Sequence, residues 1–430
     1  MTVASAPDLT ATGAGIIALI VFAIAYCFVI AEEITALRKS KPVVVAAGVI
    51  WVLVAVASRH VEGAAVADSL RHNLLEYGEL LLFLLSAMTY VNTLQERNVF
   101  EALRSWLMAR KLSLRALFWI TGAAAFLLSP VLDNMTTALV MGAVVLSLGA
   151  GNARFIALAC INLVVAANAG GAFSPFGDIT TLMVWQKGVV TFTEFFDLFL
   201  PALVNWVVPA LCMHFAVPAG MPEGSAARVG MKYGGGGVIA LFALTVTMTV
   251  LLHHWLDLPP FLGMMTGLGL LMLYGYVIRR HEKRTFDVFN NLKQIEWDTL
   301  LFFYGVVLCV GGLGALGYLS LLSHASYATL GATHSNVLVG LASAVIDNIP
   351  IMFAVLSMGP EMAHGQWLLV TLTAGVGGSL LSIGSAAGVA LMGQARGMYT
   401  FMSHLKWTWA VGLGYAASIW VHFLINKSLF

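Results

Sequence analysis

The feature that most constrains this chain is a succession of long apolar stretches, such as residues 13–31, 43–57 and 238–252. Roughly 20 apolar residues wound as an α-helix match the hydrocarbon thickness of a bilayer. Only helices and closed barrels satisfy every backbone polar group at that depth. A barrel would be written as short alternating segments, and the long stretches here are continuous instead. Composition agrees, because 60% of the 430 residues are hydrophobic and 10% are charged, against about 25% charged in soluble domains. The chain therefore reads as an all-α polytopic membrane protein. Its first stretch follows only Asp8 and precedes Glu32, Glu33, Arg38 and Lys39. It lacks the basic flank of a signal peptide and reads as a retained span. A net charge of +1 gives no reason to expect a nucleic-acid partner. Cys27, Cys160, Cys212 and Cys309 lie far apart inside apolar runs and read as packing residues, without disulfide or metal spacing.

The two halves resemble each other. Glu76-Tyr-Gly-Glu-Leu-Leu-Leu-Phe83 recurs as Glu296-Trp-Asp-Thr-Leu-Leu-Phe-Phe303. Ser129-Pro-Val-Leu-Asp-Asn-Met135 recurs as Ser343-Ala-Val-Ile-Asp-Asn-Ile349. The pair Gly170-Gly171, followed by Gly177, recurs as Gly377-Gly378 followed by Gly384. The matches keep their order, at offsets of 220, 214 and 207 residues. Internal repeats of this kind are characteristic of secondary transporters. Each half reads as five spans and one hairpin. Spans begin near residues 13, 41, 76, 152 and 195, then near 238, 259, 297, 366 and 406, with hairpins at 114–150 and 334–360. The repeats are expected over 1–217 and 238–430, joined by a linker at 218–237.

Cationic residues set the topology, because cytoplasmic loops hold the excess of lysine and arginine. With both termini outside and each hairpin entering and leaving on one side, 18 of the 22 fall on the inner side. They are Arg38, Lys39, Lys41, Arg97, Arg104, Arg110, Lys111, Arg115, Arg154, Arg228, Lys232, Arg279, Arg280, Lys283, Arg284, Lys293, Arg396 and Lys406. Only Arg59, Arg71, Lys187 and Lys427 stay outside. A hairpin that crossed fully would move the cationic loop at 279–293 outward, so the re-entrant form is expected. Five spans is an odd number, which makes the second repeat inverted relative to the first.

Ionisable groups at depth cost roughly 2.5–3.5 kcal/mol on insertion scales and so require a reason. Asp133 follows Ser129-Pro130 and precedes Asn134, Thr136 and Thr137. Asp178 lies in Ser174-Pro175-Phe176-Gly177-Asp178-Ile179-Thr180-Thr181, and Asp347 opens Asp347-Asn348-Ile349-Pro350. Each carboxylate adjoins a helix breaker and neutral oxygens. Broken helices expose carbonyls toward a cavity, and a hard cation such as Na⁺ takes oxygen ligands. The alternative is ordinary turn and capping chemistry at loop ends. Glu79 reads either as a site carboxylate or as a helix-end residue, and Asn168 as a site amide or a C-cap. Ser382 and Ser385 fill the second repeat's counterpart of the break around Asp178, where backbone-bonded serines are also tolerated.

At residues 129–137, 174–181 and 347–350 the sequence resembles the NhaD family of bacterial Na⁺/H⁺ antiporters, within the ion transporter superfamily. The resemblance extends from about Glu76 through the last span, and the segment from Ser174 to Thr181 is its most specific part. It implies two inverted repeats with re-entrant hairpins, a homodimeric scaffold domain and a mobile transport domain. It also implies that Asp133 with Asn134 forms the inner hairpin tip, and Asp347 with Asn348 the outer one. Ser174, Asp178, Thr180 and Thr181 would form one facing break, and Ser382 with Ser385 the other. Glu79 and Asn168 match functional polar positions. Carboxylate-transporting relatives carry Ser-Asn-Thr at the tips, and here Asp replaces that Ser at both. The second repeat departs from the first by holding Ser385 where the first holds Asp178.

The reading that follows is a secondary active transporter of a bacterial inner membrane, with no enzyme chemistry and no resident cofactor. Cytoplasmic Na⁺ (or Li⁺) and external H⁺ would compete chiefly for Asp133 and Asp178, with Asp347 contributing, and three carboxylates permit one, two or no net charges moved per cycle. Loss of Asp178 is expected to be the more damaging, because no repeat partner can substitute for it. An arsenite or organic-anion transporter of the same superfamily is the second reading. It calls for a basic residue in the breaks, and none is there. An intramembrane aspartyl protease is a remote third, since Pro175 stands where its motif carries glycine.

Overall fold

The chain is described by a computed structural model over residues 8–35, 37–60, 66–108, 112–149, 152–221, 229–281 and 286–430. Arg110, Lys111, Arg228, Lys283 and Arg284, part of the linker at 218–237 and the last residue of the 114–150 hairpin lie outside the described residues. Among the described residues every regular element is helical. The principal helices are α1 Gly13–Ile30, α2 Ser40–Ala57, α3 Val66–Glu96, α4 Leu114–Leu132, α5 Asn134–Leu148 and α6 Ala153–Gly171. They continue as α7 Ile179–Gln186, α8 Phe199–His214, α9 Gly235–Leu256, α10 Pro260–His281 and α11 Trp297–Ala315. The remainder are α12 Ala332–Ala342, α13 Asn348–Met358, α14 His364–Gly377, α15 Ala386–Ala395 and α16 Thr408–Ile425.

Ten of the described helices are long and apolar enough to cross a membrane. Nine of the ten lie where spans are expected, and one does not. The expected span near 366 is α14, which ends after 14 residues because Gly377-Gly378 breaks it. Its place is taken by α4, the first arm of the expected hairpin, which runs for 19 residues. The span expected from 76 begins instead at Val66. Its first turns carry Asp68, Arg71 and His72, which a search for apolar residues passes over.

The chain divides into two compact units, each drawing on both halves of the sequence. The first comprises the chain up to Arg97, Lys232–Thr329 and Phe353–Pro360. Within it α11 packs on α2 and α3, α1 on α2, and α9 on α10. Small residues permit the close approaches, as expected in helix packing without a hydrophobic drive from lipid. A Cβ on Gly267 would lie 2.0 Å from Thr245, and one on Gly312 would lie 2.6 Å from Ile50. Polar side chains stitch the same helices. Trp51 donates to the Leu308 carbonyl at 2.9 Å, and Tyr90 to the Gly267 carbonyl at 2.7 Å.

The second unit comprises Asn98–Met231, Leu330–Met352 and Glu361–Phe430. Its centre is α6, with 83% of its span buried, where no other spanning helix exceeds 61%. It is wrapped by α4, α5, α8, α14 and α15. A helix hidden on every side is apolar on every side, and α6 is so beyond the exposed Arg154 of its first turn except at Asn162 and Asn168. Local signals set its limits. The Asn152 side chain accepts from Phe155 N at 2.9 Å and starts it, and the Gly170-Gly171 pair ends it.

Candidate ion-binding site

Four interruptions of helices in the second unit carry the polar groups. At the first, α4 holds Pro130 in its last turn and ends at Leu132, and Asp133 alone separates it from α5. Asp133 has φ 66° and ψ 159°, a region that nearly all non-glycine residues avoid. Its carboxylate caps α5. Oδ1 accepts from Thr136 N and Oδ2 from the Thr136 hydroxyl, each at 2.8 Å. The next residue, Asn134, points its amide the other way and donates to Asp178 Oδ2 at 2.7 Å.

Asp178 stands at the second interruption, between α6 and α7. It caps α7 by accepting from Thr180 N at 3.1 Å on Oδ1. Ser174 donates to the Pro130 carbonyl at 2.8 Å, and the Thr181 hydroxyl lies 2.7 Å from the carbonyls of Ser174 and Asp178. The break is thereby fastened to the tip between α4 and α5. Glycines make room for it, since a Cβ on Gly177 would lie 2.6 Å from the Gly171 Cα and 3.0 Å from the Ser129 carbonyl.

The third interruption, residues 343–347, delivers Asn348, whose amide donates to the same Asp178 Oδ2 at 2.9 Å. The Asp347 carboxylate is near enough for its charge to act on Asp178, and it accepts from Ile349 N at 3.4 Å. The fourth interruption follows α14. Ser385 caps α15 there, accepting from Gly388 N at 3.3 Å. Its φ and ψ of −140° and 149° nearly equal the −145° and 150° of Asp178. The Asn168 amide donates to the Ser385 hydroxyl at 3.0 Å. The positions paired by the sequence repeat also share contacts. Ser129 donates to the Ala167 carbonyl at 2.7 Å, and Ser343 to the Ala374 carbonyl at 2.9 Å.

Asp178 is therefore the meeting point. It is 8% exposed, and its partners among the described residues are two side-chain amides, one backbone amide and a neighbouring negative charge. Among the described residues no basic side chain forms an ion pair with it. Asn168 Oδ1, Thr137 Oγ1 and Thr180 Oγ1 are buried without a hydrogen-bond partner, which is costly unless something else engages them. Neutral oxygens around one buried carboxylate suit a small hard cation.

Comparison with known proteins agrees. A family described as citrate transporter (CitMHS) matches residues 12–375. The Na(+)/H(+) antiporter NhaD of Alkalimonas amylolytica is 54% identical over 98% of this chain and 93% of its own. That of Vibrio cholerae is 52% identical over 100% of this chain and 97% of its own. Sodium/proton antiporter 1 of Arabidopsis thaliana is 33% identical, covering 95% of this chain and 72% of its own. The chain belongs to the NhaD antiporter family. It is thus a multi-pass membrane transporter and not an enzyme.

In this NhaD-family chain the described residues hold no group of three or more His, Cys, Asp or Glu side chains able to hold a metal ion. Asp133 caps α5 through Thr136, while the amides of both tips reach Asp178. Ser382 is fully buried at the fourth interruption, beside the Tyr399 hydroxyl. Glu79 lies well inside α3 and belongs to the first unit. Sequence reasoning passed over Ser129 and Ser343 as site residues, although they open the second repeat match and occupy equivalent places in it.

Proposed function

We propose that this chain is a secondary antiporter that exchanges cytoplasmic Na⁺ (or Li⁺) for external H⁺ at Asp178. The observation that carries the reading is a buried carboxylate, free of any basic partner among the described residues, on which amides from two helix interruptions converge. A carboxylate must be charged to hold Na⁺ and is neutral when it holds H⁺, so one ion displaces the other. No covalent step is required. Asp347 supplies a second negative charge, and Asn168, Thr137, Thr180, Ser174, Thr181, Ser382 and Ser385 supply neutral oxygens. Asp133 shapes the inner tip, with Thr136 as its partner. Glu79 is a further polar group of the path in the first unit.

The architecture proposed around this site is the one that the cationic residues and the family resemblance favour. It has two inverted five-span repeats, re-entrant hairpins at 114–150 and 334–360, and both termini outside a bacterial inner membrane. The unit that carries Asp178 acts as the transport domain, and the other as the scaffold of a homodimer. The name of the matching family, citrate transporter, favours an organic anion as the second reading. An anion would have to approach Asp178 and Asp347 without a compensating cation, which like-charge repulsion opposes.

The test is dequenching of a pH-sensitive dye in acidified inverted vesicles from antiporter-deficient cells. Na⁺ or Li⁺, but not K⁺ or citrate, should release the trapped protons. Because protons compete at the same group, the apparent KM for Na⁺ should rise as pH falls. Proton release by citrate alone would support the anion reading and reject this one.

A further inference from the structure

The Ser129 hydroxyl lies 2.8 Å from Asn134 Oδ1 and 2.7 Å from the Ala167 carbonyl. Both neighbours are acceptors, and a serine hydroxyl has one proton to give. Only one of these two contacts can be a hydrogen bond at a time. Rotating the Asn134 amide by half a turn about its Cβ–Cγ bond removes the conflict. Nδ2 then donates to the Ser129 oxygen, and Ser129 gives its proton to Ala167. The same rotation replaces the N–H that now faces Asp178 Oδ2 at 2.7 Å with a carbonyl oxygen.

That exchange matches what Asp178 needs. A charged carboxylate is stabilised by N–H donors, and the amides of Asn134 and Asn348 supply two of them. Once Na⁺ sits on Oδ2, a donor facing it is repelled, whereas a carbonyl oxygen is a ligand. Once H⁺ sits on Oδ2, the acid becomes a donor and needs an acceptor. Both loaded states call for the amide's oxygen, and only the empty state calls for its nitrogen. We propose that Asn134 is a reversing amide, donor to empty Asp178 and acceptor to loaded Asp178, and that Ser129 is the positioning residue that satisfies its far end in either orientation.

The absence of a side chain at Gly171 makes room for this end of the amide, since a Cβ there would lie 2.1 Å from Asn134 Oδ1. The second tip provides a control within the molecule. Asn348 also donates to Asp178 Oδ2, at 2.9 Å. The hydroxyl of its repeat-matched serine, Ser343, bonds the Ala374 carbonyl and makes no other hydrogen bond among the described residues. Asn348 thus has no hydroxyl behind it and stays a donor, so the two tips play unequal parts. This inference rests on the antiport reading, and the experiment separates their failures.

Full-length protein in liposomes, with asparagine labelled at the side-chain carbonyl, would be studied by infrared difference spectroscopy on adding Na⁺ in place of choline. Retention of radioactive Na⁺ would be read on the same samples. Wild type should show a Na⁺-induced shift of an asparagine carbonyl band that S129A removes and that S129T and S343A keep. In exchange assays S129A should raise the apparent KM for Na⁺ about tenfold, the effect of a lost hydrogen bond at a buried polar group, with maximal rate within about twofold. S129T should restore the KM. Na⁺ retention by wild type without any asparagine band shift overturns the reversal, and this measurement needs no variant to fold. A band shift that survives in S129A overturns the role of Ser129. Absence of Na⁺ retention in wild type overturns the antiport reading itself.

Discussion

Two aspartates in this chain perform the same capping task with different consequences. Asp178 bonds Thr180 N in an ordinary extended conformation, and asparagine caps a helix as well as aspartate does. Asp178→Asn should therefore keep the cap on Oδ1 but turn an N–H toward the amide of Asn348, so it should lower exchange at least about 100-fold with only a modest drop in melting temperature. Loss of both together would mean that Asp178 holds the fold. Asp133 sits instead at φ 66° and ψ 159°, where a non-glycine residue costs roughly 1–3 kcal/mol. Its cap contributes about 0.5–2 kcal/mol. Asp133→Gly loses the cap and releases the strain, so the two nearly cancel. Asp133→Ala loses the cap and keeps the strain. Thermal unfolding in detergent should place the alanine variant below the glycine variant, and equal melting temperatures would remove strain from the account of this tip.

At the scale of elements, the helices meet their interruptions at glycines that admit no side chain. A Cβ on Gly170 would lie 2.3 Å from the Phe126 carbonyl, and one on Gly377 would lie 2.0 Å from the Gly340 carbonyl. The obstacle in both cases is backbone, which cannot swing aside. Gly170→Ala and Gly377→Ala should each destabilise the protein by about 1–3 kcal/mol, as overpacking does, whereas Gly412→Ala, with nothing within 4 Å, should be neutral. Melting curves of the three variants would decide it. These positions show why so much was legible in the sequence. The breaks at Gly170-Gly171 and Gly377-Gly378 follow from composition and repeat, and so do the carboxylates beside them. The extent of α3 and the brevity of α14 were hidden, because apolarity marks where a helix contacts lipid and not where its hydrogen bonds end. The greater weight of Asp178 is legible in the repeat, which gives Asp133 a counterpart in Asp347 and leaves Asp178 with none. The amides that reach Asp178 were hidden, because only the direction of each side chain in space reveals them.

For the whole molecule, the compact units cut across the two sequence repeats, so that interruptions from both halves are brought into one unit. The consequence is electrical. Asp178 comes from the first half and Asp347 from the second, and the Asp347 charge acts on Asp178. On the proposed reading, that charge helps to draw a cation to Asp178. Removing it should weaken the attraction, so in proteoliposomes Asp347→Asn should raise the apparent KM for Na⁺ several-fold. Asp347→Glu, which keeps the charge, should stay near wild type. An apparent KM that Asp347→Asn leaves unchanged would remove the Asp347 charge from the account of cation binding.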